Sequence, residues 1–250
     1  AVATVSAQLV VMLVMMVGVF RSKKEENVLK GIRLFEPFSK EELGNICKIG
    51  GPTAIQGMVY CMISMVLTRM VAAFGAEAIA TQRVGGQIES VSWNTADGFA
   101  AALNAFVGQN YGAKKMDRVQ EGYRISFWTV AIWGALIMLA FIIFPGPIAG
   151  VFFHEEKAME IAISYLIIIG FSEAFMCVEL MTIGALSGLG KTKLCSVISI
   201  TATSMRIPLA MVLSRTSLGL DGIWWALTLT SVAKGIIFYL TFRYQMHEKC

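Results

Sequence analysis

Charge is scarce in this chain. Asp, Glu, Lys and Arg make up 15% of its 250 residues, against roughly 25% in a soluble domain. His154 and His247 are its two histidines. Its five cysteines (Cys47, Cys61, Cys177, Cys195 and Cys250) show no CxxC and no metal-ligand spacing. A zinc or haem centre is therefore not expected, and cysteines inside apolar runs read as small hydrophobes. No HExxH, dinucleotide fingerprint or nucleophile–base pair occurs. Gly188-Leu189-Gly190-Lys191-Thr192 lacks the gap and preceding strand of a phosphate-binding loop. The polar stretches are too short for a nucleotide-binding domain, so the residues point away from an enzyme and leave an ion gradient as the energy source. Strand-like alternation is also missing, against an outer-membrane barrel.

What the chain has instead is apolar length. It is 56% hydrophobic, with a mean hydropathy of +0.66. Seven segments, near 1–20, 46–74, 86–109, 125–144, 159–183, 194–213 and 220–242, each approach the roughly 20 apolar residues a helix needs to cross a bilayer. Without water to satisfy the backbone, such runs must be helices. The expectation is an all-α, multi-pass helix bundle in the lipid bilayer of an inner (plasma) membrane. Basic residues set its orientation: 15 gather in 21–48, after the third and fifth spans and in the tail, against 3 (Arg83, Lys157, Arg215) in the intervening loops. The positive-inside rule puts the first group, and the C-terminus, in the cytoplasm. The same distribution accounts for the net charge of +4 without a nucleic-acid partner. Because Ala1 already lies deep in an apolar run, 1–20 reads as the end of a span whose upstream neighbours are missing.

Several local signals punctuate the spans. Ser39 and Glu42 have capping-box spacing, with Phe38 and Leu43 placed for a hydrophobic staple. Pro52 should kink the second span, either beside a cavity or through packing of small residues. Asp117 is placed to cap the next helix. Met116, Val119, Tyr123 and Phe127 recur at helical spacing, as if that piece lay along the interface. Pro145-Gly146-Pro147 should close the fourth span and Pro208 should kink the sixth. Trp224 and Trp225 read as interfacial anchors.

Polar groups at bilayer depth are the functional candidates, since a charge there costs about 2.5–3.5 kcal/mol on insertion scales. In the third span Glu89, Asn94, Asp97 and Asn104 fall close to one helix face. They could line a wet cavity that exchanges protons or sodium, or form a buried network that fixes helix register. Gln56, Tyr60, Ser64 and Thr68 make a neutral stripe in the second span, with methionines between them suited to varied apolar ligands. Glu173 and Glu179 lie about 120° apart around the fifth span, so they cannot share a face. Ser196, Ser199, Thr203 and Arg206 line up in the sixth span, and Thr228, Ser231 and Lys234 in the seventh. Arg206 or Lys234 is placed to neutralise Asp97 or a glutamate.

Sequence pieces running along most of the chain resemble the C-terminal half of multidrug and toxic compound extrusion (MATE) transporters. They are Gly51-Pro52, Phe74-Gly75-Ala76, Ala78-Ile79-Ala80-Thr81-Gln82, Gly98-Phe99-Ala100-Ala101-Ala102, Val107-Gly108-Gln109-Asn110-Tyr111-Gly112-Ala113, Gly184–Thr192 and Gly219–Ala226. The resemblance implies a six-helix lobe over 46–242. Residues 1–20 would end the sixth helix of the whole transporter, 21–45 would form the cytoplasmic inter-lobe linker and 243–250 the tail. The missing N-terminal lobe of the same protein would be a partner. It implies antiport of small cationic or amphipathic substrates, drugs among them, against Na+ or H+, with no cofactor beyond that ion. Many members carry a glutamate where this chain has Tyr60, and some carry an aspartate around the position of Met176, so their ion site does not transfer residue by residue. The candidates here are Asp97, Glu173 and Glu179 for the ion, and Gln56, Tyr60 and Asn94 for substrate. Arg206 and Lys234 are the charge partners. A lipid-linked oligosaccharide flippase of the same superfamily is one rival reading, and a seven-helix receptor or sensor is another.

Overall fold

The structure, a computed structural model, describes residues 2–21 and 39–247. The connector over 22–38, including Phe38 of the expected staple, and the last three residues lie outside the described part. The chain divides into two units, 1–45 and 46–250. In the first, α1 (Val2–Arg21) is an apolar helix. It leads by sequence to α2 (Lys40–Ala72), which begins on the expected capping box. The Glu42 amide donates to Ser39 Oγ at 3.1 Å, and the Ser39 amide donates to Glu42 Oε2 at 3.3 Å.

The second unit holds the rest of α2 and then α3 (Ala76–Gly112), α4 (Met116–Ile143), α5 (Pro145–Phe152), α6 (Glu156–Gly170), α7 (Glu173–Gly188), α8 (Thr192–Ser204), α9 (Arg206–Leu213) and α10 (Leu220–His247). Among the described residues there is no strand. Helix α7 is the hub, packing against α3, α4 and α10. Its approach to α3 depends on Gly184 and Gly188, one turn apart. A side chain at Gly184 would strike the backbone of Ala100, and one at Gly188 would come within 2.6 Å of the Asn104 carbonyl. This is the small-residue contact by which membrane helices bring their backbones together.

Among the described residues, four helical segments are long and apolar enough to cross a membrane, and α6 with α7 makes a fifth if the bent pair is one span. Of the seven spans expected, α3 is 37 residues long but carries too many polar groups to count by composition. Helix α1 runs over Val2–Arg21, and its described apolar part is Val5–Gly18.

One span is interrupted at a single residue and another is bent. Pro208 has no amide to offer the Ser204 carbonyl, and the helix divides at Met205 into α8 and α9. The 51° bend between α6 and α7 contains no proline. It falls at Gly170-Phe171-Ser172, where the Ser172 hydroxyl bonds back to the Ile169 carbonyl at 2.9 Å. The freed Ile168 carbonyl accepts from Thr228 Oγ1 of α10 at 2.8 Å, so the break is satisfied by side chains where no water is at hand.

Several local expectations change. Pro52 sits inside a continuous α2. Asp117 lies in the first turn of α4 but does not cap it; Lys115 holds the cap position. Lys114 takes the left-handed conformation (φ 58°), and the Lys114 and Lys115 amides return to the Tyr111 and Asn110 carbonyls, which is a Schellman ending. The same ending closes α7, with Gly190 at φ 74°. Helix α4 does end just before Pro145-Gly146-Pro147, and the same prolines open α5, where absent amides cost nothing. Val119 and Tyr123 are buried in the bundle core. Trp224 is fully buried edge-on to Tyr165 instead of anchoring at an interface.

Candidate ion and substrate site

A cavity of about 270 Å³ lies among α2, α7, α8, α9 and α10. Gln56 and Tyr60 reach it from α2, Trp93 from α3, and Met176 and Glu179 from α7. Ser199, Thr203 and Arg206 line the broken α8–α9 side, and Ser231 and Lys234 the α10 side. The polar stripes of the sixth and seventh spans therefore do meet, around one space. Tyr60 and Met176, where the family resemblance implies acids, both line it.

Its charged groups are fixed. Lys234 Nζ donates to Glu179 Oε1 at 2.6 Å, with both side chains buried. Arg206 donates through Nε to Thr230 Oγ1 at 3.0 Å and through Nη2 to Ser231 Oγ at 2.9 Å. Thr230 passes its own proton to the Ala226 carbonyl at 2.8 Å. Buried charges need this degree of pairing and hydrogen bonding. Glu179 Oε2 and Ser199 Oγ are buried without a hydrogen bond and remain available to a guest.

A second group of polar side chains sits at the bend between α6 and α7. Gly85 leaves room for the Tyr165 ring, because any side chain there would strike it. Tyr165 can then donate its hydroxyl to Glu89 Oε1, one turn further along α3. Glu173, the first residue of α7, is completely buried, and neither carboxylate oxygen makes a hydrogen bond of ordinary geometry. Its neighbour Ser92 is in contact with Cys177 Sγ at 3.2 Å. Glu89 lies within electrostatic reach of Glu173. Two carboxylates and one phenol thus share a site beside the N-terminus of α7, whose dipole favours negative charge.

The structure places the sequence candidates unevenly. Gln56, Tyr60, Glu179, Arg206 and Lys234 meet at the cavity, and Glu173 lies at the bend. Asp97 and Asn94 are exposed on α3, whose buried residues Ser92, Ala96 and Ala100 face α7 instead. Sequence reasoning left out Glu89 as an ion ligand and missed Tyr165 and Ser92. The available signal was the cost of one more acid inside an apolar run.

The MatE family model matches residues 52–212. The chain belongs to the MatE family. Among MatE relatives, the probable multidrug resistance protein NorM of Thermotoga maritima is 30% identical over 185 residues, 72% of this chain and 39% of that protein. The probable multidrug resistance protein YoeA of Bacillus subtilis is 26% identical over 89% of this chain and 48% of its own. The chain thus spans half or less of the length of these relatives. The fold is that of solved MATE structures: the Vibrio cholerae transporter VcmN in its bent form superposes with a TM-score of 0.77 at 19% identity, over 89% of this chain and 50% of VcmN. A Pyrococcus furiosus transporter of the MOP superfamily superposes with a TM-score of 0.78 at 21% identity, over 87% of this chain and 50% of that one. That protein is described as having a binding pocket of reverse polarity that suggests a different function. With its apolar helices, the MatE chain is a multi-pass membrane protein.

Proposed function

We propose that this chain is the C-terminal half of an ion-coupled antiporter that exports amphipathic and cationic compounds by alternating access, and that Glu173 with Glu89 holds the coupling ion. The observation that carries the reading is Glu173, fully buried at a helix break, with the Ser92 hydroxyl beside it but no hydrogen bond of ordinary geometry to either oxygen. A lone carboxylate in such a place is costly, and a second carboxylate nearby adds repulsion. A proton or Na+ relieves both, so occupancy is tied to the shape of the bend. Broken helices are where transporters build such sites.

A cationic substrate competes for the same negative charge, so ion and substrate favour different states. Gln56, Tyr60, Trp93 and Met176 offer the apolar and hydrogen-bonding contacts of the neighbouring cavity, and Glu179 becomes exchangeable when Lys234 lets go. The missing N-terminal lobe completes the transport path. The test is dye efflux from vesicles of the full-length protein under proton and sodium gradients imposed separately. Efflux driven by one gradient, and abolished by Glu173→Gln, is the expected result. Full efflux in that variant removes Glu173 from the mechanism.

One observation favours a second reading. The cavity holds Arg206 and Lys234 against Glu179, a balance that suits an acidic head group and a lipid-linked oligosaccharide flippase. Its volume of about 270 Å³ is small for such a cargo, and the antiporter stands first. Rescue of a flippase-deficient strain, with drug tolerance unchanged, would reverse that order.

A further inference from the structure

A separate cavity of about 770 Å³ opens where α4 begins and α10 finishes. This is the end of the bundle to which the excess of basic residues belongs. Its wall is aromatic: Tyr123 stacks on Phe242 with ring centroids 3.6 Å apart, and Phe127 meets Tyr239 at 5.1 Å. Its rim is charged and balanced, with Asp117, Glu121 and Arg124 from α4 and Arg243 from α10. None of these four is ion-paired with another described residue. Arg243 is steadied by one hydrogen bond, Nη1 to Tyr239 Oη at 3.2 Å.

We propose that this groove binds the head group of a zwitterionic phospholipid carrying a primary ammonium, of the phosphatidylethanolamine type. The charges decide the class. The phosphate is met by Arg124 and Arg243, while the ammonium donates to Asp117 and Glu121 and rests against aromatic faces. An anionic lipid would leave both acids opposed to its phosphate. A lone organic cation would leave two arginines without a partner. Aromatic and basic side chains at a membrane end are the usual contacts of head groups. A lipid is chosen over a free phosphoethanolamine because the groove continues into apolar surface. Trp128 is 61% exposed, and the exposed Ile132 and Leu136 follow it at helical spacing along α4, giving an acyl chain a path.

The experiment is native mass spectrometry of the delipidated full-length protein, offered equimolar phosphatidylethanolamine, phosphatidylcholine and phosphatidylglycerol. The wild type is expected to retain phosphatidylethanolamine in preference to both others. Arg124→Gln with Arg243→Gln should lower that retention about thirtyfold, from about 1 kcal/mol per basic residue near a head group. Asp117→Asn with Glu121→Gln should turn the preference toward phosphatidylglycerol, a directional change that misfolding cannot imitate. A wild type that prefers phosphatidylglycerol or does not discriminate overturns the proposal. So does an order of preference that survives both double variants.

Discussion

Helix α7 carries two buried glutamates six residues apart, and their surroundings differ in kind. Glu179 is answered by Lys234 at 2.6 Å, with Arg206 close by and held on two α10 hydroxyls. Glu173 sits at the bend with no hydrogen bond of ordinary geometry, and its polar neighbours are another acid, Glu89, and the Ser92 hydroxyl. The first arrangement balances its charges within the protein, although Glu179 Oε2 is left without a hydrogen bond. The second has no cationic partner, and on the function proposed above it is the one that a coupling ion would complete. Burial alone does not separate the two; the partner on the facing helix does.

The sharpest way to break this contrast is Lys234→Met. Removing one partner of a buried pair leaves the other charge uncompensated, so a loss of about 3–5 kcal/mol is expected. Thermal unfolding of the purified full-length protein measures it. The double change Lys234→Met with Glu179→Gln should recover most of that loss; equal losses would show that the two do not act as a pair. Glu173→Gln should do the reverse, leaving unfolding unchanged or raised while ion-driven efflux falls by at least about tenfold, as when a coupling group is removed outright.

Tyr165→Phe reports the state of the second acid. The hydrogen bond to Glu89 contributes about 1.5–3 kcal/mol if the carboxylate is charged and about 1 kcal/mol if it is neutral, read by unfolding at a single pH. The smallest effect belongs to Asp97→Asn, because Asp97 is exposed and is not among the residues lining the cavity. Efflux should change by less than about twofold, within the range of surface substitutions. A loss as large as that of Glu173→Gln would move the coupling site to the other face of α3.

What was legible in the sequence follows the range of the interaction. The box at Ser39 and Glu42 is local, three residues long, and forms as read. The stripes ending in Arg206 and Lys234 are periodic and belong to one helix each, so their common direction was readable, and both line the cavity. The bend at Gly170–Ser172 was not readable, because it depends on Thr228 from a helix nearly 60 residues away. The inward face of α3 was not readable either. Acids and amides on one side and small residues on the other give two candidate interior faces, and only the glycines of α7 decide between them. Lys114 hid the start of α4, since a left-handed lysine leaves no glycine to mark the turn.

The bare contact of Gly184 and Gly188 with α3 has a mechanical consequence. Two helices touching main chain to main chain cannot roll or slide past each other without losing contact along their length, so they travel as one rod. Rearrangement within this lobe is then forced onto the joint at Gly170–Ser172, where α6 pivots against that rod. On the mechanism proposed above, the acid seated on the joint is the group that would register each swing.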